Sequence, residues 1–416
     1  MINEKLKERF LKYIKFDTQS DDSSNTIPST MKQKDLGKYL EEELKSIGLS
    51  EAFMDEVGYV YGFLPSNCGS NTTIGLIAHM DTSDEASGKD VKAQIISNYD
   101  GGIIVLNEAL GLKLDPSEFN YLNSQIGHEL ITTDGTTLLG ADDKAGIAII
   151  MTAIDELIHS DIKYPNIIIT FTPDEEIGRG TDAFNYDYYK EKKCSIAYTL
   201  DGGEPHIVNY ENFNAASAKI EIEGKSCHCG SAKGIMVNAI LIANAIMSSL
   251  PNETPSTTEG YEGFFHVERV NATVSSATLE YLIRDFDKAN FERRKKLLTE
   301  IVDKLNEKYN NRIKLTIKDS YCNMRNIIEQ DMSVVEIATE AMERVGVSPK
   351  ITPVRGGTDG ADATYNGLPC PNIGTGGHNF HGTHEYITLE DMEKTTEILI
   401  EMVRENTNKK VLTKGE

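Results

Sequence analysis

The order of strands and helices along this chain predicts an α/β fold. We expect a doubly wound, mostly parallel sheet with a smaller α+β domain inserted into it. Residues 74–78, 166–172 and 196–200 are short and almost continuously apolar, as is typical of strands buried on both faces. A helical repeat of apolar residues at 147–158 lies between the first two of these strands. Alternation of this kind favours parallel strands that are joined by helices.

The N-terminal part of the chain supplies further elements of this fold. An amphipathic helix is expected at the start, and a second helix at residues 36–47 is ended by Gly48. Residues 60–64 predict a strand, which Pro65 terminates. Residues 83–130 contain only short β-like pieces, so we expect them to form an excursion from the main sheet.

A different pattern follows in the middle of the chain. Strand, helix, strand, strand, helix, strand is the order of a ferredoxin-like α+β unit. The segments that predict it are residues 217–223, a helix around 235–247, strands at 264–270 and 273–285, a helix at 291–305, and a strand at 312–317. Because α/β patterns lie on both sides, we expect an inserted domain at 210–321 within a discontinuous domain of residues 1–209 and 322–416.

The C-terminal part returns to the first pattern. Residues 331–346 predict a helix and residues 351–354 a short strand. The last helix is expected to begin near Thr388, with Asp391 in the capping-box position.

Composition excludes several classes of function. The 416 residues include 65 Asp and Glu against 42 Lys and Arg, for a formal net charge of −23. Such a surface repels nucleic acids and anionic membranes, whereas it tolerates cations and small peptides. The six scattered cysteines suit a reducing compartment, and the charged N-terminus lacks the apolar core of a signal peptide, so we expect a cytoplasmic protein.

Side chains that can bind metals follow three of the predicted strands. His79 and Asp81 come after the first, Glu175 and Glu176 after the second, and Asp201 directly after the third. Since ligands of open parallel sheets bind beyond the carboxyl ends of the strands, we expect these side chains to lie at one edge. One acid in a loop is usually structural, but three strands that end in this way favour a common site.

Two adjacent acids, Asp142 and Asp143, lie where the helix at 147–158 is expected to begin. One interpretation is an N-terminal cap with a spare acid, because helix starts favour Asp. The other is that Asp142 belongs to the same site as the acids after the strands. A glycine-rich stretch late in the chain adds three histidines, His378, His381 and His384.

Four or more carboxylates at one place repel each other unless positive charge lies among them. Since no basic run is nearby, we expect divalent cations. A mixture of carboxylates and imidazoles suits Zn²⁺, with Mn²⁺ or Co²⁺ as possible substitutes. Two ions that share one carboxylate can bind both a water molecule and a substrate carbonyl, and a further carboxylate can then transfer the proton.

Five motifs in this order resemble those of the di-zinc metallopeptidases of the M20 family. They are His79-Met80-Asp81, Gly140-Ala141-Asp142-Asp143-Lys144, Pro173-Asp174-Glu175-Glu176, Asp201-Gly202-Gly203 and His381-Gly382-Thr383-His384-Glu385. The resemblance covers nearly the whole chain and, within the family, is greatest to the tripeptide aminopeptidases. It implies that the inserted domain is a lid and dimerisation domain.

The resemblance also implies roles for individual residues. His79 and Asp201 would bind one zinc ion, Glu176 and His381 the other, and Asp142 would bridge the two ions in each subunit. Asp81 would orient the ring of His79, and Glu175 would be the general base. His381 is favoured over His378 and His384 because the family's ligand histidine precedes a glutamate by four positions, which matches Glu385.

Three residues outside the metal set receive roles in the same way. His228 in the inserted domain resembles a histidine that stabilises the tetrahedral intermediate across a dimer, although Cys229 replaces the usual proline. Arg284 and Arg355 resemble residues that bind the C-terminal carboxylate of a peptide, a task that suits the bidentate guanidinium. The alternatives are an idle loop histidine and ordinary salt bridges.

The sequence therefore predicts a cytoplasmic, homodimeric, zinc-dependent aminopeptidase that removes the N-terminal residue of tripeptides. A related dipeptidase, carboxypeptidase or N-acyl amino acid deacylase would share the metal site and differ only in the substrate pocket. A non-catalytic binding protein on the same fold is a more distant alternative, and it would be expected to lack a ligand or the base.

Overall fold

The structure is a computed structural model, and it describes residues 2–406. Its helices are α1 (Ile2–Tyr13), α2 (Gln33–Ser46), α3 (Ala141–Ile158), α4 (Tyr186–Glu191), α5 (Ala239–Ser249), α6 (Lys288–Tyr309), α7 (Arg325–Ile328), α8 (Ser333–Arg344), α9 (Asp359–Tyr365) and α10 (Leu389–Asn406). Across residues 2–406, we find no helix with the length and apolar character that a membrane span requires.

The strands divide between a large mixed sheet and smaller sheets. They are β1 (Glu51–Met54), β2 (Val60–Leu64), β3 (Thr73–His79), β4 (Ala93–Ile96), β5 (Ile104–Asn107), β6 (Leu112–Leu114), β7 (Leu130–Thr133), β8 (Asn166–Thr172), β9 (Cys194–Leu200), β10 (Ile207–Asn209), β11 (Asn214–Glu223), β12 (Phe264–Ala272), β13 (Ser276–Asp285), β14 (Ile313–Asp319), β15 (Lys350–Ile351), β16 (Asn372–Ile373), β17 (Gly377–His378) and β18 (Tyr386–Thr388).

The chain forms two compact units. Among the described residues, the first contains those up to Tyr210, then Asn326–Thr352, and those from Thr358 to Asn406. The second contains Glu211–Arg325 and Pro353–Gly357.

The first unit is built on an eight-stranded sheet in the order β1-β2-β8-β3-β9-β16-β10-β15. The central strands β8, β3, β9 and β16 are parallel, as the sequence predicts, while β1, β2 and β10 introduce antiparallel pairs. Every residue of β3 is buried, which explains why its sequence is apolar without alternation. The parallel centre places the carboxyl ends of β8, β3 and β9 side by side.

Helix α3 is the most buried helix of this unit, and it lies against β3 and β9. A Cβ at Gly146 would lie 2.1 Å from the carbonyl oxygen of Leu200. The glycine therefore lets the start of α3 approach the end of β9 closely, which brings the acids of the helix start next to the acid that follows the strand.

The excursion at residues 83–130 has more structure than the sequence indicates. Strands β4 and β7 join β18 and β17 in a four-stranded sheet, and β5 pairs with β6 in a hairpin. The short β-like pieces of the sequence correspond to strands here, but the pairing of β7 with β18 from the C-terminal part of the chain is one that local sequence patterns could not reveal. The strand β1 was also missed, because its four residues lack a buried apolar run.

The second unit has the predicted ferredoxin-like order β11, α5, β12, β13, α6, β14. Its sheet is antiparallel throughout, with the strand order β12-β13-β11-β14. Both helices contact the sheet and each other, and β13 alternates buried and partly exposed residues. The core of the unit therefore lies between the helices and one face of the sheet.

Helix α5 begins at Ala239, later than the start near residue 235 that the sequence predicts. Ile235 lies before the helix, and Ile240 and Leu241 are 42% and 62% exposed. The buried residues are instead Ala239, Ile242, Ala243 and Ile246. The apolar residues of this helix extend around more than one face, so their positions alone did not identify the core-facing side.

We expect Leu298→Ala in α6 to lower the free energy of unfolding by about 2–5 kcal/mol, because this fully buried side chain would leave a cavity. Lys304→Ala, at an exposed position of the same helix, should change it by no more than ~0.5 kcal/mol. Denaturant unfolding of both variants and the parent chain measures the difference. Equal losses in the two variants would contradict the assignment of Leu298 to the core.

Candidate metal centre

The predicted site residues that follow the three central strands lie at one edge of the large sheet. His79 ends β3, Glu175 and Glu176 form a short 3-10 turn after β8, and Asp201 follows β9 directly. One nitrogen of His79 and one oxygen each of Glu175 and Asp201 lie within 4.8 Å of one another. The topology therefore brings together the side chains that the sequence predicts would meet.

The carboxylate of Asp142 lies between two imidazole rings. Its Oδ1 is 2.9 Å from Nε2 of His79, and its Oδ2 is 3.4 Å from Nε2 of His381. Asp142 and Asp143 have non-helical backbone angles although they stand in the first turn of α3. Asp142 is thus not an ordinary helix cap, because both of its oxygens face the imidazoles.

Glu176 lies on the His381 side of this arrangement. Its Oε2 is 2.8 Å from Nε2 of His381, and its Oε1 accepts a hydrogen bond from the backbone N–H of Ser83 at 3.1 Å. His79, Asp142 and Glu176 also offer ligand atoms within 4.8 Å of one another. The same atom of His381 therefore faces both Glu176 and Asp142.

Asp81 is buried behind His79 and has two functions in the local geometry. Nδ1 of His79 lies 3.0 Å from the backbone carbonyl oxygen of Asp81 and 3.5 Å from its Oδ1. The carboxylate of Asp81 accepts hydrogen bonds from the backbone N–H groups of Glu175 at 2.9 Å and Glu176 at 3.2 Å. Asp81 therefore links the ring of His79 to the turn that carries both glutamates.

Two of the segments that carry ligand candidates contain strained backbone. Asp174 and His381 have φ angles of 61° and 64°, in the left-handed region that disfavours residues other than glycine. The carboxylate of Asp174 is held by the backbone N–H of Ser29 and by Nε2 of Gln33, each at 2.7 Å. Such backbone conformations cost free energy, so they persist where surrounding contacts hold them in place. They are frequent at functional sites.

Three carboxyl groups of the cluster resist ionisation, because they are buried and close to other acids. Burial, reinforced by the charge of Asp142, raises the pKa of Asp201 to about 7. Burial and the same charge raise the pKa of Glu176 to about 7. Burial raises the pKa of Glu175 well above its usual value, and Asp201 adds to this effect. Negative charge at this position is therefore in excess.

The pKa values of the two imidazoles shift in the direction that favours their charged form. For His381, hydrogen bonds to Asp142 and Glu176 outweigh burial and raise its pKa to about 11. For His79, hydrogen bonds to Asp142 and Asp81 likewise outweigh burial, and its pKa lies well above the usual value. Carboxylates in such excess, together with imidazole nitrogens, form a donor set that fits divalent metal ions.

Asp143 belongs to this cluster, although the sequence suggested no role for it beyond a spare acid. It offers an oxygen to a group with Asp142 and Asp201 within 4.8 Å. Its carboxylate also accepts hydrogen bonds from the backbone N–H groups of His79 and Gly146, each at 3.1 Å. Asp143 therefore connects the end of β3 to the start of α3.

Sequence reasoning missed two further acids near the site. The buried carboxylate of Glu385 accepts hydrogen bonds from backbone N–H groups at the start of α3. Asp359 accepts one from Oγ1 of Thr172, the last residue of β8, at 2.6 Å. Glu385 served only as a sequence marker for His381, and Asp359 follows a glycine-rich run that gave no distinct signal.

His378 and His384 pack against aromatic rings instead of joining the acids. The ring of His378 stacks between those of Tyr121 and Tyr386, with centroids 5.3 and 5.0 Å away. The ring of His384 lies 5.3 Å from that of Phe119. This arrangement agrees with the choice of His381 as the ligand candidate.

The three other predicted site residues lie in the second unit. His228 is exposed before a 3-10 turn, and its Nδ1 accepts a hydrogen bond from the N–H of Gly230. The guanidinium of Arg284 lies 5.2 Å from the ring centroid of Tyr321 and donates to the carbonyl oxygen of Ala216. The roles of these two residues remain predictions.

Arg355 is held within the second unit by its own loop contacts. Its Nη1 donates to the carbonyl oxygens of Gly260 at 2.7 Å and Glu262 at 2.9 Å. Its guanidinium also lies 5.2 Å from the ring centroid of Phe213. A peptide carboxylate would compete with these carbonyl oxygens, and the predicted role of Arg355 remains a prediction.

Comparison with known proteins gives a consistent result across the chain. The peptidase dimerisation domain of the M20 family matches residues 210–312. A curated protein named peptidase T, from Caldanaerobacter subterraneus subsp. tengcongensis, is 54% identical over 96% of this chain and 98% of its own length.

Solved structures share the fold at lower identity. The aminopeptidase PepT from Bacillus cereus superposes with a TM-score of 0.76 at 23% identity, covering 98% of this chain and 99% of its own. A Bacillus subtilis protein described as a dinuclear metal-binding peptidase of the M20 family gives a TM-score of 0.65 at 14% identity, covering 98% and 99%.

Proposed function

Because the chain belongs to the peptidase T family of M20 metallopeptidases, we propose that it removes the N-terminal residue from tripeptides. The observation that carries this proposal is the position of Asp142, whose two carboxylate oxygens each face a different imidazole. One carboxylate placed in this way suits a site for two ions. The curated peptidase T, which this chain matches over nearly its whole length, supports the reaction class.

We assign the ligands of two divalent ions, with zinc as the favoured metal, from the contacts described above. His79 and Asp201 would hold one ion, Glu176 and His381 the other, and Asp142 would be shared. Ions bound there would supply Lewis-acid activation of water and polarisation of the scissile carbonyl. Mn²⁺ or Co²⁺ could substitute, because the same oxygen and nitrogen donors accept them.

The protein's own groups would then position the reactants and move the proton. Glu175 would accept a proton on its carboxylate from the attacking water and donate it to the leaving amino nitrogen. Asp81 supports this role because it fixes the backbone N–H groups of Glu175 and Glu176.

We further propose a homodimer formed through the second unit. The dimerisation-domain match covers most of this unit, and β12 is an edge strand of its sheet. In that assembly His228 would act as the sequence predicts, and Arg284 and Arg355 would recognise the C-terminal end of the peptide. The cytoplasmic location remains a prediction, in keeping with six free cysteines.

We expect the purified protein to release the N-terminal residue from tripeptides, and expect chelation to abolish this activity. Zinc should restore it. A series of dipeptides, tripeptides, tetrapeptides and an N-acyl amino acid separates the proposal from a dipeptidase, a carboxypeptidase and a deacylase. Release that survives complete removal of metal would contradict the mechanism, and preference for another member of the series would contradict the substrate class.

A further inference from the structure

The carboxylate of Glu385 lies at the start of α3, although that helix is far from Glu385 in the sequence. Its Oε2 accepts hydrogen bonds from the backbone N–H groups of Leu139 at 2.7 Å and Gly140 at 2.8 Å. Its Oε1 accepts one from the backbone N–H of Asp142 at 3.1 Å. Glu385 is 1% exposed, so these charge-assisted hydrogen bonds form away from solvent.

These contacts replace the cap that α3 does not supply for itself. The N-cap position is Gly140, which has no side chain, and no side-chain capping hydrogen bond is formed there. Asp142 directs its oxygens to the imidazoles, and Asp143 directs its own to His79 and Gly146. Glu385 satisfies N–H groups at the helix start, which leaves Asp142 free to face both rings.

The segment that carries Glu385 also carries His381. The backbone N–H of Glu385 donates to the carbonyl oxygen of Gly382 at 3.2 Å, which closes a turn between the two residues. The carbonyl oxygen of Glu385 accepts a hydrogen bond from Oγ1 of Thr132 at 2.8 Å. One short segment is therefore fixed to β7 and holds both the His381 imidazole and the backbone of Asp142.

We propose that Glu385 is a positioning residue that sets the separation between the Asp142 carboxylate and the His381 imidazole. This inference rests on the proposed two-ion site and adds a residue that does not itself touch the ions or substrate. Groups that orient metal ligands in this way typically influence metal affinity by about 10–100-fold when they are changed.

The geometry predicts why glutamine cannot replace Glu385. All the N–H groups around the carboxylate are donors, two on one oxygen and one on the other. An amide has one oxygen and an NH₂ group, so Glu385→Gln must place a donor against at least one backbone N–H. In one orientation that N–H is the one of Asp142, and in the other it is the pair from Leu139 and Gly140.

We expect Glu385→Gln to weaken binding of zinc to the metal-free protein by about 10–100-fold. Calorimetric titration of the full chain with zinc measures this, and the zinc concentration that gives half-maximal peptidase activity should shift by the same factor. Excess zinc should restore much of kcat. A role confined to stability would lower the unfolding temperature without moving either zinc dependence.

Glu390→Gln is the matched control. Glu390 also accepts a backbone N–H, that of Glu129, with its oxygens at 2.9 and 3.1 Å, but it lies at the start of α10. Zinc affinity should be unchanged in this variant. If Glu385→Gln does not yield folded protein, Glu385→Asp, which keeps the charge but shortens the side chain, should show the same shift in zinc affinity.

The outcomes separate this inference from the proposed function. Parent-like zinc affinity in a folded Glu385 variant would overturn the positioning role while leaving the peptidase proposal intact. If the parent protein cleaves no peptide but the variant still binds zinc more weakly than the parent does, the positioning role is supported. The proposed substrate class is then rejected.

Discussion

Glu175→Ala is expected to lower kcat by about 10²–10⁴-fold while divalent-ion binding is retained. The carboxylate lies beside His79 and Asp201, but the shared position between the two imidazoles belongs to Asp142. Removing Glu175 therefore takes away the proposed proton acceptor and leaves the assigned ligands. Steady-state kinetics with a tripeptide, together with metal analysis of the same sample, measures both effects.

Two further variants make this test specific. Glu175→Gln keeps the size of the side chain and should lose as much activity as the alanine variant. Glu191→Ala, at an exposed position of α4, should behave as the parent protein. Unchanged turnover in the Glu175 variants would show that another group takes the proton, and loss of metal would show that Glu175 is a ligand.

Asp142→Asn should remove the capacity to hold two ions together and lower kcat by at least ~10³-fold. Each oxygen of Asp142 faces a different imidazole, and an amide offers an oxygen on one side only. We expect metal content per subunit to fall to one ion or fewer. Elemental analysis after equilibration with zinc, with kinetics on the same preparation, checks this.

Asp161→Asn, at an exposed position after α3, is the control for a general effect of lost negative charge. It should retain the metal content and kcat of the parent. Two tightly bound ions in Asp142→Asn would refute the shared position assigned to this residue.

The sequence predicted that three of these side chains would lie close together, and the reason is topological. His79, Glu175 and Asp201 each follow a strand, and parallel neighbouring strands must end at the same edge. The strand pattern alone is therefore sufficient to predict that these side chains lie close together. Asp142 also lies close to these side chains, because α3 begins at the same edge of the sheet.

The parts that the sequence did not reveal depend on contacts between distant segments. Glu385 acts through backbone N–H groups at the start of α3, and backbone groups leave no mark in the pattern of residue types. Asp359 accepts its hydrogen bond from the side chain of Thr172, 187 positions away in the sequence, and no local pattern indicates that contact. The small sheet of β4, β7, β18 and β17 is likewise assembled from short strands that no local repeat distinguishes.

The link between Glu385 and the N–H of Asp142 also bears on how the protein is made. The two residues are separated by 243 positions, so at about 5–20 residues per second the ribosome adds Glu385 roughly 10–50 s after Asp142. Until then, the nascent chain lacks the His381 imidazole, which faces the carboxylates of Asp142 and Glu176. It also lacks the Glu385 carboxylate, which binds the N–H groups at the start of α3. The first unit can therefore complete its fold only late in translation, after the second unit has already left the ribosome.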